Sequence, residues 1–271
     1  MTPTVLISTV TADWLELRAA ADDAARSEQL TAELRGSIRA GGIVIHDLGA
    51  GSGAMVRWLA PRLPGPQTWV LHDADAEILT HADLDDVVDA SGHPLTSTIR
   101  VATLADLPVD AFAGASAVVA SALLDVITLS EAEAIVAACI DAGVPALFSL
   151  TVTGNVVLEP ADPLDAVLGA AFDDHQRREA HGRALLGPDA VPVVAGLFAS
   201  AGWNVRTRST PWLLGASEAA LVGEWLEGWT GAAVEQRPEL APAAAEYVER
   251  RLGCASLAVT VPHEDLLAWP S

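Results

Sequence analysis

Short apolar runs alternate with amphipathic stretches along the first half of the chain. "GIVIHDL" at 42–48 is a compact apolar run closing on an acid, and "AMVRWLAPRL" after it spaces Met55, Trp58, Leu59 and Leu63 at helical intervals. The pattern predicts strand, turn and helix. "TWVLHD" repeats it as a second strand ending at Asp73, with a helix expected over 74–88, and "STIRVATL" and "ASAVVASA" read as the third and fourth strands. "AEAIVAACIDA" reads as a further helix, with Ser130 and Glu133 at capping-box spacing and Gly143 and Pro145 as its stop. "ALFSLTV" is the fifth strand.

Upstream, residues 12–39 read as one long helix with Thr11 as its N-cap. After residue 152 the alternation loosens. Residues 159–190 read as helical with polar loops, "VPVVAGLFASAG" as a clean helix and "WNVRTRST" as a sixth strand. Two helices over 216–251 and a final strand at "SLAVTV" complete the pattern. Strands and helices in this alternation predict an α/β fold with a mostly parallel sheet covered on both faces, its active residues at the carboxyl ends of the strands. A single domain over 1–271 is expected.

Composition removes several chemistries. The net charge of −21 disfavours a nucleic-acid partner, and all 15 basic residues are arginine. Without lysine there is no Schiff base to pyridoxal phosphate and no P-loop lysine. Cys139 and Cys254 are far apart, which suggests neither a disulfide framework nor a zinc site, and no metal is expected. No apolar run has membrane-spanning length and "MTPTVLISTVTAD" lacks the basic start of a signal peptide, so a cytoplasmic protein with no membrane partner is the expectation.

The richest chemistry lies in "DLGAGSGA" at 47–54. Glycines there let backbone approach a ligand closely, and Asp73, ending the next strand, is placed to accept from ribose hydroxyls. Both features indicate a nucleoside. Gly49-x-Gly51-x-x-Ala54 also satisfies the loose dinucleotide fingerprint, but a carboxylate at Asp47 would oppose a diphosphate and suits a cationic cofactor.

"VIHDLGAGSG", "WVLHDADAEIL", "RVATLADLP" and "ASAVVASALLDVIT", in that order over 44–128, resemble the motifs of class I, Rossmann-like S-adenosylmethionine-dependent methyltransferases. The resemblance implies a doubly wound, seven-stranded, mostly parallel sheet with an antiparallel last strand. It implies a cofactor-binding half at 43–152, an N-terminal helical segment at 12–39, and helical insertions at 153–190 and 210–252 that cap the acceptor site. Asp47, Gly49, Ala50, Gly51 and Gly53 would surround the methionine half of S-adenosylmethionine, Asp73 the ribose, and Ala74 the adenine. Thr103, with Leu104 beside it, stands where such enzymes often carry an adenine-contacting acid, and Ser121 and Ala122 would face the cofactor.

Trp14, Arg18, Asp22 and Arg26 form one stripe at four-residue spacing: either a salt-bridged face or a cover over the cofactor mouth, with Arg26 or Arg18 on the methionine carboxylate. Asp125 reads as a base or as an ordinary cap. His175 and His181, in "DDHQRREAH", read as acceptor-side bases or as parts of a polar helix. Trp212, Trp225 and Trp229 read as core or as a pocket wall, and His46 and His72 as structural. The partner expected is a small-molecule methyl acceptor; a homodimer is compatible with the sequence. The rival readings are an NAD(P)-dependent oxidoreductase, a non-catalytic S-adenosylmethionine-binding protein and a protein methyltransferase.

Overall fold

The computed structural model describes residues 11–38, 41–180 and 182–271, so His181 lies outside the described residues. Along the chain, α1 (Ala12–Ala25) and α2 (Glu28–Ser37) precede β1 (Ile43–Leu48) and α3 (Ala54–Leu59). Next come β2 (Gln67–Asp73), α4 (Ala76–Leu79), β3 (Thr96–Val101), β4 (Ala117–Ser121), α5 (Leu129–Ala142) and β5 (Ala146–Val152). The second half holds β6 (Val157–Glu159), α6 (Asp165–Gln176), the small hairpin of β7 (Glu179–Ala180) and β8 (Arg183–Ala184), and α7 (Ala190–Ser200). It continues through β9 (Asn204–Ser209), β10 (Trp212–Leu214), α8 (Ala219–Gln236), α9 (Ala241–Leu252), β11 (Ala258–Val261) and β12 (His263–Trp269).

The main sheet has seven strands in the order β3-β2-β1-β4-β5-β12-β9. β1 to β5 are parallel, and β12 runs antiparallel to both of its neighbours. This is the expected doubly wound fold. Its inner strands are apolar on both sides because both faces are covered. Leu48, Val118, Ala120 and Phe148 pack under α5 and α7, whereas Ile43, Ile45, Val119 and Leu147 pack under α2 and α3. The crossover order places the carboxyl ends of β1 and β4 side by side, at the switch point where sheets of this kind bind ligands. A third apolar cluster joins α1, α6, α8 and α9 to a small sheet of β10, β11 and β6. Trp225 and Trp229 belong to its interior, stacked 5.4 Å apart. No helix among the described residues is long and apolar enough to cross a membrane.

Several elements differ from the sequence expectation. Residues 12–37 form two helices rather than one, because Ser27 starts a new helix: its side chain accepts from Leu30 N at 3.2 Å while its own amide donates to Asp265 at 2.9 Å. The break lets α2 bury Leu30 and Leu34 on the sheet while α1 turns its apolar side to the third cluster. The helix expected over 74–88 is the single turn α4, since Asp83 and Asp89 bind amides two residues onward and hold the following chain in turns. The capping box of α5 is Thr128 and Glu131, two residues before Ser130 and Glu133. Residues 159–190, expected to be helical, begin on the last residue of strand β6 and also contain the β7–β8 hairpin. "SLAVTV" supplies β11 of the small sheet, not the last strand of the main one. That place goes to β12, whose "DLLA" is buried on both faces and therefore fits between β5 and β9.

Candidate active site

The glycine turn begins where β1 ends. Gly49, Gly51 and Gly53 have φ of 63°, 52° and 79°, the left-handed region that glycine enters without Cβ strain. Ala50 donates its amide to His72 O at 3.0 Å, which ties the turn to β2. Asp73 braces the turn from β2, its Oδ2 accepting from Gly51 N at 2.9 Å and its Oδ1 from Asp75 N at 3.0 Å. A Cβ on Gly49 would stand 2.9 Å from Leu123 Cδ1, and one on Gly51 would stand 3.3 Å from Leu15 Cδ1. The turn thus lies under α1 on one side and under the segment after β4 on the other.

Asp47, two residues before the turn, is fully enclosed, and neither carboxylate oxygen has a hydrogen-bond partner. Burial, reinforced by the nearby Asp73, pushes its pKa up to about 8, against the opposing field of Arg26. Arg26 sits at the joint between α1 and α2, almost wholly buried. Its Nη2 donates to Ser121 Oγ at 3.1 Å and its Nη1 to Asp23 Oδ1 at 2.6 Å, its guanidinium carbon lies 5.5 Å from the centre of the Trp58 ring, and its Nε has no partner. An unpartnered buried carboxyl and an incompletely used guanidinium therefore share one enclosed place. Such groups are costly unless a ligand completes them.

Farther along α1, Arg18 binds Asp22 through two bonds of 2.9 and 3.1 Å, and Asp22 Oδ1 also accepts from Trp212 Nε1 at 3.0 Å. The stripe Trp14, Arg18, Asp22 and Arg26 is thus an inward-facing network over the carboxyl ends of the strands. Asp125, in the turn after β4, is buried with Oδ1 unpartnered, and burial pushes its pKa up to about 6.

Other residues singled out in the sequence sit differently. Thr103 donates to Asp106 Oδ2 at 2.7 Å on an exposed turn, with Leu104 packed onto the sheet's α5 side. Ala74 is exposed at the carboxyl end of β2, and Ala122, with φ of 52°, donates its amide to Ser149 O. His175 is tied between α6 and α8: Nε2 lies 3.1 Å from Glu235 and Nδ1 lies 2.9 Å from Arg178 Nη1. His46 and His72 lie 3.0 Å apart, stacked on each other in the core and away from the turn.

Sequence reasoning missed Ser149, His263 and Asp265. Ser149 Oγ and His263 Nδ1 are buried without partners, while Asp265 accepts from Ser27 N, Leu150 N and the Thr210 hydroxyl. The signal was available in part: a serine within the apolar run "ALFSLTV", and "HED" opening an otherwise apolar strand.

No family model and no curated protein matches the sequence. Solved structures do match in fold. The cyclopropane synthase MmaA2 from Mycobacterium tuberculosis is 16% identical, over 96% of this chain and 94% of that one, with a TM-score of 0.51. The apo form of mycolic acid cyclopropane synthase CmaA1 is 14% identical, over 96% of this chain and 100% of that one, with a TM-score of 0.50. The chain has the methyltransferase fold. At these identities the likeness is one of architecture.

Proposed function

We propose that the chain is an S-adenosylmethionine-dependent methyltransferase acting on a small-molecule acceptor. The observation that carries this reading is the buried, unpartnered carboxyl of Asp47 beside Arg26 at the edge of the glycine turn. An amino-acid end bearing both an ammonium and a carboxylate completes the two together: Asp47 takes the ammonium and Arg26, with Ser121, takes the carboxylate. Gly49, Ala50, Gly51 and Gly53 give backbone access, and Asp73 exchanges Gly51 N for ribose hydroxyls. Ala74, Thr103, Leu104 and Ala122 border the rest of the nucleoside. The cofactor, when bound, supplies a methyl group activated by a sulfonium.

What remains for the protein is alignment and exclusion of water. Asp47 and Arg26 fix the cofactor end, while Leu15 and Leu123 close over the turn, so α1 has to yield for a ligand to enter. Asp125 is the base we assign. His175 is less suited, both of its ring nitrogens being engaged by Glu235 and Arg178. A dinucleotide oxidoreductase is disfavoured because there is no lysine for a Tyr-x-x-x-Lys hydride site. Calorimetry with S-adenosylhomocysteine and with NAD tests the reading. Binding of the former is expected; preference for the latter overturns it.

A further inference from the structure

The sheet face turned toward α1 and α2 carries a polar row at the carboxyl ends of its strands. Strand alternation sets this row, since Asp47, Ser121 and Ser149 follow Ile45, Val119 and Leu147, which all pack on that face. On β12, His263 and Asp265 continue the alternation from Leu267, with Asp265 at a bulge opposite Leu150. The first two members, Asp47 and Ser121, belong to the proposed cofactor end. The next positions hold two buried atoms with nothing bound to them, Ser149 Oγ and His263 Nδ1, each on a residue 2% exposed.

Aromatic groups stand over this end of the row. The Trp212 ring lies 5.0 Å from the His263 imidazole, the Arg18 guanidinium lies 4.8 Å from the Trp212 ring, and Trp14 lies 6.5 Å from Trp212. Asp125, whose Oδ1 is likewise buried and unpartnered, feels the field of the same Arg18.

We propose that Ser149, His263 and Asp125, roofed by Trp212 and Trp14, form the acceptor subsite, and that it takes an uncharged alcohol or phenol with an apolar body. This rests on the methyltransferase reading of the neighbouring cofactor end. The Arg18 guanidinium is already bound to Asp22 through two hydrogen bonds, Asp22 in turn accepts from Trp212, and Arg26 is taken by the cofactor end, so an anionic acceptor finds no free cation among the described residues here and meets the Asp125 carboxylate. An ammonium has no free electron pair with which to take the methyl group until it has lost a proton. Burial first, and Arg18 second, push His263 down to about 3, so its imidazole stays neutral and offers hydrogen bonding without charge. Indole walls suit a flat apolar body.

Transfer then balances as a single displacement. The acceptor oxygen gives its proton to the Asp125 carboxylate as that oxygen bonds the methyl carbon. The carbon–sulfur bond breaks with its electron pair retained by sulfur, whose positive charge disappears. Asp125 passes the proton to solvent afterwards.

Ligand-observed NMR in the presence of S-adenosylhomocysteine tests the subsite with three probes of one shape: p-cresol, 4-methylbenzylamine and p-toluate. Wild-type protein is expected to bind p-cresol in preference to the charged probes. Ser149→Ala and His263→Leu are each expected to weaken p-cresol by about five-fold, the loss of one neutral hydrogen bond. Thermal melts identify any variant that fails to fold, and Ser149→Ala, the smaller change, carries the test if His263→Leu does not. Absence of p-cresol binding, tighter binding of a charged probe, or unchanged p-cresol affinity in folded variants overturns the proposal. Calorimetry of wild-type protein with S-adenosylhomocysteine alone reports separately on the cofactor reading.

Discussion

Gly51 donates its backbone amide to Asp73 Oδ2 at 2.9 Å, across the gap between the turn after β1 and the end of β2. One carboxylate thus holds the turn in shape and, on the proposed function, also accepts from a ribose. Asp73→Ala removes both functions. S-adenosylhomocysteine affinity is expected to fall by about 1–3 kcal/mol for each charged hydrogen bond lost. Calorimetry measures it, and an affinity equal to wild type would dismiss the ribose role.

On the proposed function, Asp47 makes cofactor binding proton-linked. In the free protein burial raises its pKa to about 8, so at neutral pH most molecules carry the proton. A bound ammonium favours the ionised form, hence binding at pH 7 is expected to release close to one proton, and affinity is expected to rise with pH until about 8. Titrations in buffers of different ionisation enthalpy read this release directly. The Asp47→Asn protein should show none. For stability the sign is opposite: because the folded pKa lies above the unfolded value of 3.8, Asp47 costs stability as pH rises from about 4 through about 8. Unliganded Asp47→Asn is therefore expected to melt higher than wild type at pH 8.

The His46–His72 pair predicts a separate loss of stability in acid. Burial lowers both to about 4, helped by the nearby Arg100. Their folded values lie below the unfolded value of 6.5, so their neutral pairing stabilises fully above about 6.5 and is lost progressively as pH falls toward 4. Replacing the pair by His46→Phe with His72→Leu is expected to flatten melting temperature against pH over that window. An unchanged slope would count against the pair.

Asp265 joins three elements through one buried carboxylate: Ser27 at the start of α2, Leu150 in β5 and Thr210 after β9. Asp265→Ala orphans two backbone amides, and a loss of about 3 kcal/mol in unfolding free energy is expected by urea denaturation. A loss below about 1 kcal/mol would mean that water replaces it.

Local signals were legible where chemistry and structure coincide within a few residues. The five parallel strands, the glycine turn and Asp73 are of this kind, because an apolar run ending at an acid and a left-handed turn are local events. Capping at Ser27 and at Thr128 was also local, but a rival serine or an uninterrupted helical pattern concealed it. The placement of Arg26 was readable only as one of two alternatives. Whether its stripe met water or the sheet depended on the break at Ser27, which in turn depends on Asp265, 238 residues away.

By itself the sequence determined the alternating α/β order, the absence of lysine chemistry, and the pairing of a carboxylate with a glycine turn, since these follow from residue identity and short-range periodicity. Tertiary structure alone decided which strand closes the sheet beside β5. It also decided that Ser149 and His263 lie buried with unpartnered polar atoms on the same face as Asp47, and that α1 roofs them. Burial and hydrogen-bond satisfaction are properties of chain segments brought together from more than a hundred residues apart, and no local pattern records them.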